Sequence, residues 1–145
     1  MVFVSKLNSR LPRYVWVVPS LAWMILIFLL SSRESVSVSE KYWTNFLVFK
    51  SLHVIEYAVL TLLNTLAIVK NNTHITFRKA VLVAALLALA YAASDEMHQL
   101  YVPTRTGNIR DVLVDSIGIF SVYWLITHYE KSKERPPISL RSRTP

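Results

Sequence analysis

Three short stretches of this chain place ionisable side chains inside otherwise apolar sequence. The first carries Lys50, His53, Glu56 and Tyr57, the second Asp95, Glu96, His98 and Gln99, and the third Arg105, Arg110, Asp111 and Asp115. Histidines and carboxylates are the usual carriers of protons in general acid–base chemistry. Arginine presents a planar fork that suits phosphate or carboxylate. Charged groups at membrane depth are costly, so they usually pair with one another or do work.

Metal chemistry is the less favoured reading of these residues. His53 with Glu56, and Asp95 with His98, each put two potential ligands on one helical face. Carboxylate-bridged metal sites in bundles use a Glu-x-x-His spacing, but the order is reversed in the first pair and Asp replaces Glu in the second. No cofactor is called for, and a divalent metal is the alternative. The chain has no cysteine, which rules out a disulfide, a thiolate site and a cysteine nucleophile. Ser94 has no nucleophile-elbow motif around it. No zinc-protease helix, phosphate loop or dinucleotide fingerprint is present.

The elements that must position these groups are membrane helices. The 145 residues suggest one domain. They are 53% hydrophobic with a mean hydropathy of +0.38, more apolar surface than one soluble core of this size could hide. Apolar runs fall at 14–30, 45–69, 80–93 and 112–129. The first also resembles a signal peptide, but it is long for one and no small-residue cleavage site follows. The third is short for a span, so its helix is expected to continue through Asp95 to Gln99. Pro103 and Gly107 break the chain after it. The expected architecture is all-α, with four transmembrane helices over 14–130, a basic tail at 1–13 and a basic, disordered tail at 131–145.

Orientation follows from Lys and Arg. The N-terminal tail, the 70–79 loop and the C-terminal tail hold eleven, and the alternate connections hold five. The richer side is expected to be cytoplasmic, with both termini inside. The net charge of +7 is read as topology, and no nucleic-acid motif accompanies it. At about 1.5 Å per helical residue, Glu56 lies roughly 21 Å from Lys70, Asp95 roughly 24 Å from Lys79 and Asp115 roughly 22 Å from Glu130. All three acids thus fall at one level in the outer part of a hydrocarbon core about 30 Å thick.

Helical spacing also predicts facing. His53, Glu56 and Tyr57 share a face, with Asn64 further along it. Tyr91, Ser94, Asp95 and His98 form a second stripe, with Glu96 displaced. Asp111, Asp115 and Gly118 form a third, and Gly118 permits close helix approach. Turned inward, the three faces make a polar pocket open to the outer surface. The bland alternative is a structural network that fixes the bundle. Arg105 either binds an anionic group or pairs with Glu96 or Asp111. Lys50 reads as a snorkelling interface residue, Tyr57 and Gln99 as orienting neighbours, and His74 and His128 as incidental. Trp16, Trp23, Trp43 and Trp124 read as belt or packing residues.

The order His53-x-x-Glu56-Tyr57, then Asp95-Glu96-x-His98-Gln99, then Val102-Pro103-x-Arg105-x-Gly107-x-x-x-Asp111, then Gly118 resembles the VanZ-like family. The resemblance covers roughly residues 46–120. The family often has glycine where this chain has Thr104, and asparagine where it has Asp115. The resemblance implies a small bacterial membrane protein, in a family named for a member linked to teicoplanin resistance, whose general biochemical activity is not established. The expected partners are the lipid bilayer of the bacterial inner membrane and a lipid-linked, cell-envelope precursor or glycopeptide ligand. Nucleic acid is not expected, and a protein partner is unidentified. Two other classes stay open. One is an enzyme on a membrane-embedded substrate with His98 or Glu56 as general base. The other is an assembly partner of another membrane protein.

Overall fold

The structure, a computed structural model, describes residues 12–33 and 42–134. A short 3₁₀ turn over Arg13–Trp16 leads into α1 (Val18–Ser31), followed by α2 (Tyr42–Asn71), α3 (Phe77–Gln99) and α4 (Ile109–Glu134). No strand forms among the described residues. The basic N-terminal tail up to residue 11, the segment at 34–41 and the tail from 135 onward lie outside the described residues. Residues 131–134, expected in the disordered tail, instead complete α4. The apolar period ends at Tyr129, but a helix needs no apolar residue to run another turn into a polar zone.

Among the described residues, three stretches are long and apolar enough to cross a membrane: Arg13–Ser31, Trp43–Asn71 and Phe77–Gln99. α4, of 26 residues, packs along both α2 and α3. Large apolar side chains such as Leu21, Ile25, Leu29, Leu62, Leu86, Phe120 and Trp124 face outward. Lipid accepts such a surface where water would not. The molecule is an all-helical, multi-pass membrane protein.

Small residues set the packing. Ala80, Ala84, Ala88 and Ala92 of α3 recur every fourth position and are all completely buried, a stripe that lets neighbouring backbones approach. On α4 the same service falls to Gly118, where a Cβ would overlap the Val54 carbonyl oxygen of α2. Tyr57, Leu60 and Ile119 close the core, with Ile27 of α1. α1 is the peripheral helix, and polar attachments add to the core contacts of Ile27, Trp23 and Met24. Trp23 Nε1 donates to the Glu56 carbonyl at 2.9 Å, Tyr91 donates to the Met24 carbonyl at 2.6 Å, and the Ser20 hydroxyl donates to Asn64. Trp23, read from sequence as a belt or packing residue, thus ties α1 to α2.

α3 does continue through Asp95 to Gln99. The turn that follows is tight. Thr104 adopts a φ of 65°, the left-handed region that a β-branched residue rarely enters. Gly107 then packs so closely on α3 that a Cβ would overlap the Glu96 carbonyl oxygen. Asn108 Oδ1 accepts from the Arg110 N–H at 3.0 Å, capping the start of α4.

Candidate functional site

The alanine stripe of α3 runs directly into Asp95, Glu96 and Gln99, which are buried on the same face. This corrects the expected stripe of Tyr91, Ser94, Asp95 and His98 with Glu96 displaced. Ser94 is exposed, its hydroxyl bonded to the Tyr91 carbonyl at 2.7 Å. Glu96 points inward, and its Oε2 accepts from the Asn108 N–H at 2.8 Å. The close-packed face is chosen by the alanines, where approach is sterically allowed, and the polar residues follow it. Gln99 Nε2 donates to Asp95 Oδ2 at 3.1 Å and to the Ser31 hydroxyl at 2.9 Å, the orienting role expected of it.

α2 and α4 meet this face with complementary groups. Lys50 Nζ lies 2.7 Å from Asp111 Oδ2, both side chains about a fifth exposed. Lys50 was expected to snorkel to the interface and instead joins the cluster. Its spacing of three from His53 was the available signal, since it puts both on one face. His53 Nδ1 lies 3.5 Å from Asp115 Oδ1, and Asp115 is 1% exposed. Asp115 also feels the charges of Glu96, Lys50, Asp95 and Asp111, and Glu56 feels Asp95. Tyr57 is completely buried and interacts electrostatically with Asp95, Asp115 and Glu96. The residues singled out on α2, α3 and α4 therefore do gather at one end of the bundle.

His98 and Arg105 sit at the edge, against α1. His98 Nε2 is 3.0 Å from the Ser32 hydroxyl, and its ring lies 4.5 Å from that of Phe28. Arg105 Nε donates to the Arg33 carbonyl at 3.0 Å. No ion pair of Arg105 with Glu96 or Asp111 forms among the described residues. The end of α1, through Ser31, Ser32 and Arg33, thus closes one flank of the cluster. The position of these residues directly after the apolar run at 14–30 is the sequence signal for their place beside the cluster.

Four buried polar atoms have no hydrogen-bond partner among the described residues: Tyr57 Oη, Asp95 Oδ1, Asp111 Oδ1 and Asp115 Oδ2. No group of three or more His, Asp or Glu side chains among the described residues is arranged to hold a metal ion. The opposite end of the molecule carries an apolar cleft of about 610 Å³ between Phe77 and the Leu125–Ser132 turn of α4. None of the expected site residues lines it. His128, taken as incidental, lies there stacked on Trp124 with ring centroids 5.2 Å apart.

A family model described as VanZ/LLP1 matches residues 16–129. The chain belongs to the VanZ/LLP1 family. The match takes in α1 as well as the three helices whose motifs carry the resemblance, so the helix flanking the cluster is part of the family domain. No curated protein and no solved structure matches the chain. Thr104 is the non-glycine residue with a positive φ among the described residues.

Proposed function

We propose that this VanZ/LLP1 protein resides in a bacterial cytoplasmic membrane with both termini inside, α4 serving as the fourth crossing. The cluster at the ends of α2, α3 and α4 is then a polar pocket facing the outer surface. It binds the polar group of a lipid, a cell-envelope precursor or a glycopeptide, with an indirect effect on antibiotic tolerance. One observation carries the reading: the helices bury three acids, Asp95, Glu96 and Asp115, and half-bury two more, Glu56 and Asp111, beside His53 and Lys50 in an otherwise apolar bundle, with the Arg105 turn at the rim. That is more charge than helix packing requires, and networks of buried charge are expensive unless compensated. Arg105, engaged through Nε, would hold an anionic group with the rest of its fork.

A second reading is acid–base catalysis on a membrane-embedded substrate. The specific support is the His53–Asp115 pair at 3.5 Å, since a carboxylate beside an imidazole fixes the orientation of the ring.

The first reading is tested by photocrosslinking the full chain, in nanodiscs, to lipid-linked envelope precursors and to teicoplanin. Labelling of residues near Arg105 that falls in Arg105→Ala supports it. Absence of labelling by every probe, in protein shown to be folded, refutes it. Turnover of a precursor that requires His53 would instead favour the enzyme. A cytoplasm-only reporter fused after Pro145 should be active, and activity of a periplasm-only reporter there would overturn the orientation.

A further inference from the structure

Asp95, Asp111 and Asp115 share one pattern. Each commits a single carboxylate oxygen to a neighbouring side chain: Asp95 Oδ2 to Gln99, Asp111 Oδ2 to Lys50 and Asp115 Oδ1 to His53. The second oxygen of each is buried with no hydrogen-bond partner among the described residues, and so is the Tyr57 hydroxyl. Tyr57 is 0% exposed, Asp115 1% and Asp95 3%. These groups come from three helices yet act on one another. Tyr57 feels Asp95 and Asp115, and Asp115 feels Asp95 and Asp111. A buried acceptor left unmatched is costly, and more so when charged. Three such oxygens and a phenol define their complement, a positively charged donor of several hydrogen bonds.

We propose that this junction binds a primary ammonium group, carried by a small amine or by a headgroup of the ethanolamine type. An ammonium offers three N–H donors, the complement of buried carboxylate oxygens and a phenol left without partners among the described residues. A quaternary ammonium has no N–H and is held by aromatic faces, whereas the free atoms here are oxygens. A metal would need oxygens drawn to about 2.0–2.6 Å, and no group among the described residues is so arranged. Lys50 is an internal instance of the same chemistry, its ammonium 2.7 Å from Asp111. The site is part of the pocket proposed above and rests on that pocket admitting ligands. Arg105 at the rim would meet a phosphate attached to the same headgroup.

The experiment uses the full chain in phosphatidylcholine nanodiscs, a lipid without N–H donors, followed by thermal unfolding. Ethanolamine should raise the midpoint saturably, and choline at equal ionic strength should not. Asp95→Asn and Tyr57→Phe should each weaken the ethanolamine response about tenfold or more, as expected for a lost hydrogen bond to a charged group. Ser94→Ala, on the exposed face, should leave it unchanged. Equal shifts from ethanolamine and choline, or an undiminished response in both variants, overturn the assignment. If Asp95→Asn does not fold, Tyr57→Phe decides, because it removes only the hydroxyl. Phosphatidylethanolamine nanodiscs distinguish the sources: stabilisation there points to a headgroup, and stabilisation by free ethanolamine alone to a small amine. Retention of an anionic lipid through Arg105 without any amine response would refute the ammonium site and leave the pocket standing. No response to any amine or lipid would refute the ammonium site, and the same silence towards the precursor and teicoplanin probes would refute the pocket as well.

Discussion

Lys50 of α2 and Asp111 of α4 form an ion pair of 2.7 Å at the motif-bearing end of the bundle. Both are mostly shielded from solvent, so the pair is expected to couple the two helices. A double-mutant cycle with Lys50→Met and Asp111→Asn should give a coupling of about 1–3 kcal/mol in detergent unfolding. Additive effects would mean that Lys50 reaches the interface and that the pair contributes nothing to the fold.

Gly118 offers a test of sign. Glycine to alanine in a helix ordinarily stabilises by roughly 1 kcal/mol. Here the new methyl would overlap the Val54 carbonyl oxygen, and overpacking of this kind costs about 1–3 kcal/mol. Gly118→Ala should therefore lower the unfolding midpoint. A raised midpoint would show that α2 and α4 are not in close contact there.

Thr104 points the other way. Its φ of 65° places a β-branched residue where strain of about 1–3 kcal/mol is usual. Thr104→Gly should raise the midpoint by about 2–4 °C, the shift expected for a gain of about 1 kcal/mol in a chain of this size. A lowered midpoint would mean that the threonine side chain contributes more than its backbone costs.

Asp95→Asn tests the acidic motif by itself. The asparagine keeps an oxygen for Gln99, which now donates to Asp95 Oδ2, so insertion and abundance should match wild type. Ligand retention and any tolerance phenotype should be lost. Arg105→Ala should be at least as damaging, because it removes a cation from an acid-rich rim. Membrane abundance and phenotype are to be scored together. Full activity of Asp95→Asn at normal abundance would make the motif scaffolding.

The sequence by itself determined the helical class, the approximate helix bounds and the placing of the acids toward one end of the helices. These depend on hydropathy and on a fixed rise per residue, both local properties. It also determined that α3 extends through Asp95 to Gln99, because a shorter helix could not cross. It marked Gly118 as a contact point, since only glycine removes the last obstacle between two backbones. What tertiary structure decided was rotation about each helix axis. Asp95, Ser94 and Glu96 are neighbours in sequence, and which of them is buried depends on the face α3 turns toward α2 and α4. Alanine packing made that choice, turning Glu96 inward and Ser94 outward. The partners of the charges followed from the same contacts: Lys50 with Asp111, His53 with Asp115, Glu96 with the Asn108 backbone. Such pairings depend on distances between separate helices, and no periodicity within one helix encodes them.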